Sequence, residues 1–200
     1  MDIRQLSVSY QLDQDRILVR VNTSVNEEVR MWLTRHMMLR LWPMINRVVI
    51  DHLAIPADAK TDGYVDLNAI GPGTRKMLAD MRRQEAVEKA DFSTPYQGEV
   101  AARPLGETPL LVTEVNLTPK TNGQLQMNFK ELLREPASNR GFQMDMPADL
   151  VFGVIQLLHL ALQQSQWQLA SPASTVVATV VDVTDEVDLS PDATRPAYLN

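Results

Sequence analysis

The chain has 200 residues, 44% of them hydrophobic and 22% charged, with no cysteine and a formal net charge of −6. That length and composition suit one globular domain or two small fused ones, and the lack of cysteine rules out disulfides and thiolate metal sites. An acidic total gives no global attraction to phosphate backbones or anionic lipid, so any such binding has to be local.

The first twelve residues alternate with period two: Leu6, Val8, Tyr10 and Leu12 on one side, Ser7, Ser9 and Gln11 on the other. This start has no basic-then-apolar leader shape. "DQD" then predicts a turn, and Ile17, Val19 and Val21 resume the alternation, so a hairpin is expected. Val29, Met31 and Leu33 continue it as a third strand. From Thr34, a candidate N-cap, the apolar residues crowd at helical spacing. Over 34–53, a helical wheel gathers His36, Arg40, Arg47 and Asp51 into one narrow stripe. Leu39, Leu41, Trp42, Ile45 and the apolar residues up to Leu53 fill the rest. The expectation is a helix buried on several sides, kinked at Pro43.

Residues 56–108 read as a Pro-, Gly- and Asp-rich linker with one amphipathic helix, about Thr74 to Asp91, whose apolar stripe of Met77, Met81 and Val87 is thin. "GPGTRK" at 71–76 lacks the frame of a phosphate loop and reads as a turn and helix start. The strand–turn–strand–strand–helix order then returns. "PLLVTEVNL" is one expected strand, "NG" at 122–123 a hairpin signal, and Leu125, Met127 and Phe129 the next strand's apolar face. Phe142, Met144 and Met146 follow as a third strand, and Pro147 opens a helix. "STVVATVVDV" offers a further strand, and from Asp185 an acidic tail is expected to be disordered.

The fold class expected is therefore α+β: two β-meander-plus-helix units (βββα twice), with antiparallel sheets and an inserted helix, a repeat of architecture that is either an internal duplication or a chance recurrence of a common motif. Their bounds are 1–55 and 109–184, with 185–200 as the tail. No membrane span is expected, since the one long apolar run turns to glutamines after about three turns.

Catalytic constellations do not assemble. No serine adjoins a histidine, and His36, His52 and His159 lack metal-ligand spacing. Asp13 with Asp15 belongs to a turn, and Asp145 with Asp149 flanks a helix N-terminus, where negative charge is favourable anyway. No metal and no cofactor are expected. Two binding surfaces are: the stripe of His36, Arg40, Arg47 and Asp51, and a sheet surface of Arg20, Arg30 and Trp32. On the latter, an aromatic beside arginines makes a stacking platform for bases. "DRILVRVNTSVNEEVRMWLTR" resembles bacterial proteins that share a strand pair followed by a "WLTR" helix start. The likeness spans about forty residues, those relatives tend to carry arginine in place of His36, and it brings no activity with it.

The reading that results is a non-catalytic, cytoplasmic binding or adaptor protein that self-associates, with another protein or its own copy as partner and no membrane. The alternative is a single-stranded nucleic-acid binder, disfavoured by net charge. Charge is uneven: residues 1–60 hold eight Lys/Arg against seven Asp/Glu, and residues 151–200 one against five. The acidic tail is therefore expected to lie at times over the stripe and compete with an acidic partner.

Overall fold

A computed structural model describes residues 2–55, 70–91, 94–98, 101–134 and 139–167. The expected strand at 174–183 and the tail lie outside the described residues. The fold is α+β.

Strands β1 (Ile3–Gln11), β2 (Arg16–Thr23) and β3 (Glu28–Thr34) form an antiparallel meander. The period-two pattern sets the register: Val8, Val19 and Met31 lie in one cross-strand row, and Tyr10, Ile17 and Leu33 in the next, all facing the core. Asp15 turns the first hairpin with φ 46°. Thr34 caps helix α1 (Arg35–Val48), its hydroxyl accepting from the Met37 amide at 3.2 Å.

Helix α1 passes through Pro43 and widens into a π turn over Val49–Leu53, where the Ala54 amide donates to the Val49 carbonyl at 2.9 Å. Met37, Met38, Leu41 and Ile45 are buried, but Leu39 and Met44 are exposed. The expected burial on several sides is thus corrected. One face of α1 meets the sheets, and the wheel counted apolar side chains that end in solvent.

Helix α2 (Pro72–Lys89) starts and ends two residues earlier than the sequence pattern suggested. The apolar run at 109–117 forms two strands instead of one. Leu110–Leu111 (β4) pairs in parallel with β3, and the Val112 amide still donates to the Trp32 carbonyl at 3.1 Å. The Thr113 amide then donates to the Lys130 carbonyl at 2.9 Å, and β5 (Glu114–Pro119) opens a second sheet with β6 (Gln124–Glu131) and β7 (Arg140–Pro147). The first sheet is thus β1-β2-β3-β4 and the second β5-β6-β7, antiparallel except at β4. The Asn-Gly turn is present, with Gly123 at φ 80°. Helix α3 (Ala148–Ser165) follows β7, with Pro147 as its N-cap.

The helices cross between the units. Helix α3 lies on β1 as well as on β6 and β7, and α1 touches β5 as well as β3. Trp42 of α1 stacks on His159 of α3, ring centroids 6.1 Å apart. The result is one continuous apolar core that takes in both sheets and all three helices. Beyond α3, Trp167 is buried against the first hairpin: its indole N–H donates to Asp15 Oδ1 at 2.7 Å, and its ring meets Tyr10 edge-on at 5.8 Å.

Candidate functional site

Two surfaces carry the candidate residues. The first is the outward face of sheet 1. Register places Gln5, Asn22 and Glu28 in one row, Ser7, Arg20 and Arg30 in the next, and Ser9, Leu18 and Trp32 in a third that β4 extends with Leu111. Arg20 and Arg30 are therefore direct cross-strand neighbours, and Trp32 stands one row on.

Like charges opposite each other on a sheet repel, and the chain supplies the compensation itself. Residues 94–98 and 101–108 run across this face as a strap. The Gln97 amide donates to Gln5 Oε1 at 3.0 Å, Gln5 Nε2 donates to the Pro95 carbonyl at 3.1 Å, and the Glu28 amide donates to the Ala102 carbonyl at 2.9 Å. The Tyr96 ring sits under the Arg20 guanidinium, 4.3 Å from centroid to Cζ, a cation–π contact. Arg20 also donates to Ser7 Oγ at 3.2 Å.

Glu28, 4% exposed, is the anion at the centre. It accepts from the Tyr96 hydroxyl at 3.0 Å and from Arg103 Nε at 3.1 Å, and Arg30 Nε lies 3.7 Å away. Arg30 also donates to the Glu107 carbonyl, and Arg103 makes a two-pronged bond to the Glu107 carboxylate at 3.0 and 3.1 Å. Burial, and then the hydrogen bond to Glu28, push the Tyr96 phenol above its ordinary pKa, so it stays a donor. Arg20 Nε, Arg30 Nε and Asn22 Oδ1 are buried beneath the strap with no hydrogen-bond partner among the described residues.

A matching anchor holds the strap's far end. Buried Glu131 accepts from the Leu111 amide at 3.0 Å and from Arg140 Nε at 2.6 Å, while Arg140 also donates to the carbonyls of Leu105 and Thr108. Sequence reading missed Tyr96, Glu28, Arg103 and Glu107. Alternation alone puts Glu28 on the face of Arg30 and Trp32, a signal that was there to use. Nothing in the Pro- and Gly-rich stretch around Tyr96 marks it as a cover.

The second surface is the solvent side of α1. His36 and Arg40 are exposed, as is Arg35 beside them. Arg47 is 85% exposed on its side chain and pairs with Asp51 at 3.4 Å, one turn on. Leu39, 46% exposed, and Met44, 37% exposed, lie among these charges. All four stripe residues are exposed, and Leu39, which the wheel assigned to the core, is exposed as well.

Among the described residues, no three of His, Asp and Glu gather in a way that would hold a metal ion, and no helix is long and apolar enough to cross a membrane. Comparison of the chain with protein-family models, curated proteins and solved structures finds no match.

Proposed function

We propose that the protein is a non-catalytic adaptor that docks an acidic segment of a partner protein on the outward face of α1. The observation that carries this reading is the exposure of Leu39 and Met44 amid Arg35, Arg40 and Arg47. Exposed apolar groups supply the burial that affinity needs, and the surrounding arginines select an anionic partner and steer its approach. Among the described residues, Asp51 pairs with Arg47 and Asp15 acts electrostatically on Arg35, which leaves Arg40 as the cation between them, in a chain whose total charge is −6. An acidic partner is therefore drawn to this patch and repelled elsewhere.

The test is selection of a displayed peptide library on the wild type and on an Arg40→Glu/Arg47→Glu variant, followed by anisotropy titration of the selected peptides. Acid-rich peptides with an apolar anchor are expected, bound about tenfold more weakly by the variant and more weakly as salt rises. Peptides whose affinity ignores the charge reversal, or no selection at all, would overturn the reading.

A second reading rests on the cross-strand adjacency of Arg20 and Arg30 with Trp32 one row away: a single nucleic-acid strand stacked on Trp32. It requires an oligonucleotide to compete with Tyr96, Glu28 and Glu107 for the two arginines, so it ranks below the adaptor. Salt-dependent oligonucleotide binding that Trp32→Ala abolishes would promote it, and no binding at low salt would end it.

A further inference from the structure

Helix α2 is set with its small residues inward. Ala79 and Ala86 are buried against the rest of the molecule. Arg82, between them, fixes the rotation: it donates to the Leu53 carbonyl at 2.7 Å, lies 3.6 Å from Asp149 and holds its guanidinium 5.8 Å from the Phe152 ring centroid. At about 100° per residue, Gln84 is then on the far side of the helix. Met77, 57% exposed, and Met81, 62% exposed, share that outward side and line a shallow groove of about 640 Å³ that Gln156 of α3 closes. Met77, Met81, Gln84 and Glu88 follow the alternating four-and-three spacing of a helix-pairing seam.

The charges of this face sort by end. Asp80 pairs with Arg83 at 3.3 Å and Glu85 with Lys89 at 2.5 Å, both within the helix. Lys76, near the N-terminal end, makes no ion pair among the described residues. Glu88, near the C-terminal end, meets only the Gln84 amide among the described residues, at 3.0 Å. One uncompensated cation and one uncompensated anion thus sit at opposite ends of one methionine seam.

We propose that this face is the surface through which two copies of the chain associate, with the α2 helices antiparallel across a two-fold axis near Met81. A parallel pair sets Lys76 against Lys76 and Glu88 against Glu88. The antiparallel pair sets Lys76 against Glu88 twice, by symmetry, and opposes the helix dipoles. Flexible methionines fill the irregular seam. The contact is small and isologous, so it closes at a dimer and exchanges. It uses a different helix from the acidic-partner site and stands or falls separately from it.

The absence of cysteine from the chain makes the test clean. Single cysteines are placed at Met81, Lys76, Glu88 and, as a control on the exposed first hairpin, Leu12. Met81→Cys is expected to cross-link to itself under mild oxidation, because only positions near the axis meet their own copy. Lys76→Cys and Glu88→Cys are expected to stay monomeric alone and to cross-link when mixed. In sedimentation velocity, Met77→Ser/Met81→Ser should weaken the dimer about tenfold. Lys76→Glu should weaken it too, and Lys76→Glu/Glu88→Lys should restore it. Circular dichroism confirms that each variant is folded, and all of them alter solvent-facing residues. A monomer at every concentration with cross-linking no greater than the Leu12 control overturns the proposal. Self-linking by Lys76→Cys alone overturns it equally, since that requires a parallel pair.

Discussion

The two sheets present similar apolar faces to one core and treat their outward faces in opposite ways. On sheet 1, Glu28 is buried under the strap of residues 94–98 and 101–108, between Arg30 of the sheet and Arg103 of the strap. On sheet 2, Lys130 meets Glu114 at 2.7 Å and Lys120 meets Asp145 at 2.8 Å in the open, among Asn116, Gln126 and Asn128. A meander whose outward charges are solvated needs no cover. A carboxylate taken out of water requires full compensation, and the chain supplies it with two arginines, a tyrosine and about a dozen residues of backbone. The same rule explains Glu131: the only buried carboxylate of sheet 2 sits where the strap crosses it.

The largest effect should come from removing the centre of the covered face. Glu28→Ala leaves Arg30, Arg103 and Tyr96 facing one another without an anion. Denaturant unfolding should show a loss of roughly 2–4 kcal/mol, less than for a fully buried pair because both arginines keep some solvent contact. Limited proteolysis should then cut within residues 94–108. A loss no greater than that of an exposed pair would remove the distinction between the sheets.

Gly141→Ala probes the bare face where it is nevertheless tight. A methyl there would stand 2.8 Å from the Phe129 carbonyl oxygen of the neighbouring strand. The two backbones must part, at a cost of about 1–3 kcal/mol, read as a lower thermal midpoint. No change would mean that β7 shifts freely.

A pH titration tests the latch between the C-terminal end of α3 and the hairpin of sheet 1. Hydrogen bonds first from Tyr10 and then from Trp167 hold the Asp15 carboxyl below the usual carboxylate range. Its folded pKa is lowered, so its contribution is complete above the unfolded value and fades as the pH falls through the folded one. Trp167 emission should shift on acidification in that window, and Asp15→Asn should flatten the shift. The smallest effect belongs to sheet 2: Lys130→Ala should cost no more than about 0.5 kcal/mol, lost in high salt.

Much of this architecture was legible because it follows from side-chain period. The alternation of Leu6 to Tyr10 and Ile17 to Val21 has one burial solution, and Thr34 and the Asn122–Gly123 turn mark element ends by local chemistry. The split of the run at Leu110–Pro119 was not legible: both halves have the pattern of a strand, and only the position of β3 decides where the first half pairs. Of the candidate sites, the exposure of His36, Arg40, Arg47 and Asp51 could be read from the wheel, because the narrow polar stripe of a helix turns to solvent. The adjacency of Arg20 and Arg30 needed only the hairpin register. Their engagement by Tyr96 and Glu107 depends on contacts across 76 and 77 positions of the chain, and no local pattern encodes these.

The segment that leaves sheet 1 at Val112 and enters sheet 2 at Thr113 also bears on how the molecule comes into being. Met31 waits for Leu110 as its neighbour, and β1 waits for α3 as its cover. A nascent chain of 55 residues has its first three strands and α1 but neither the fourth strand nor the apolar layer over the first. Closing such distant pairs late makes folding slower than the local hairpins alone would suggest. It also ties the two halves into a single transition, so fragments cut between them should cling to chaperones or precipitate instead of folding as independent modules.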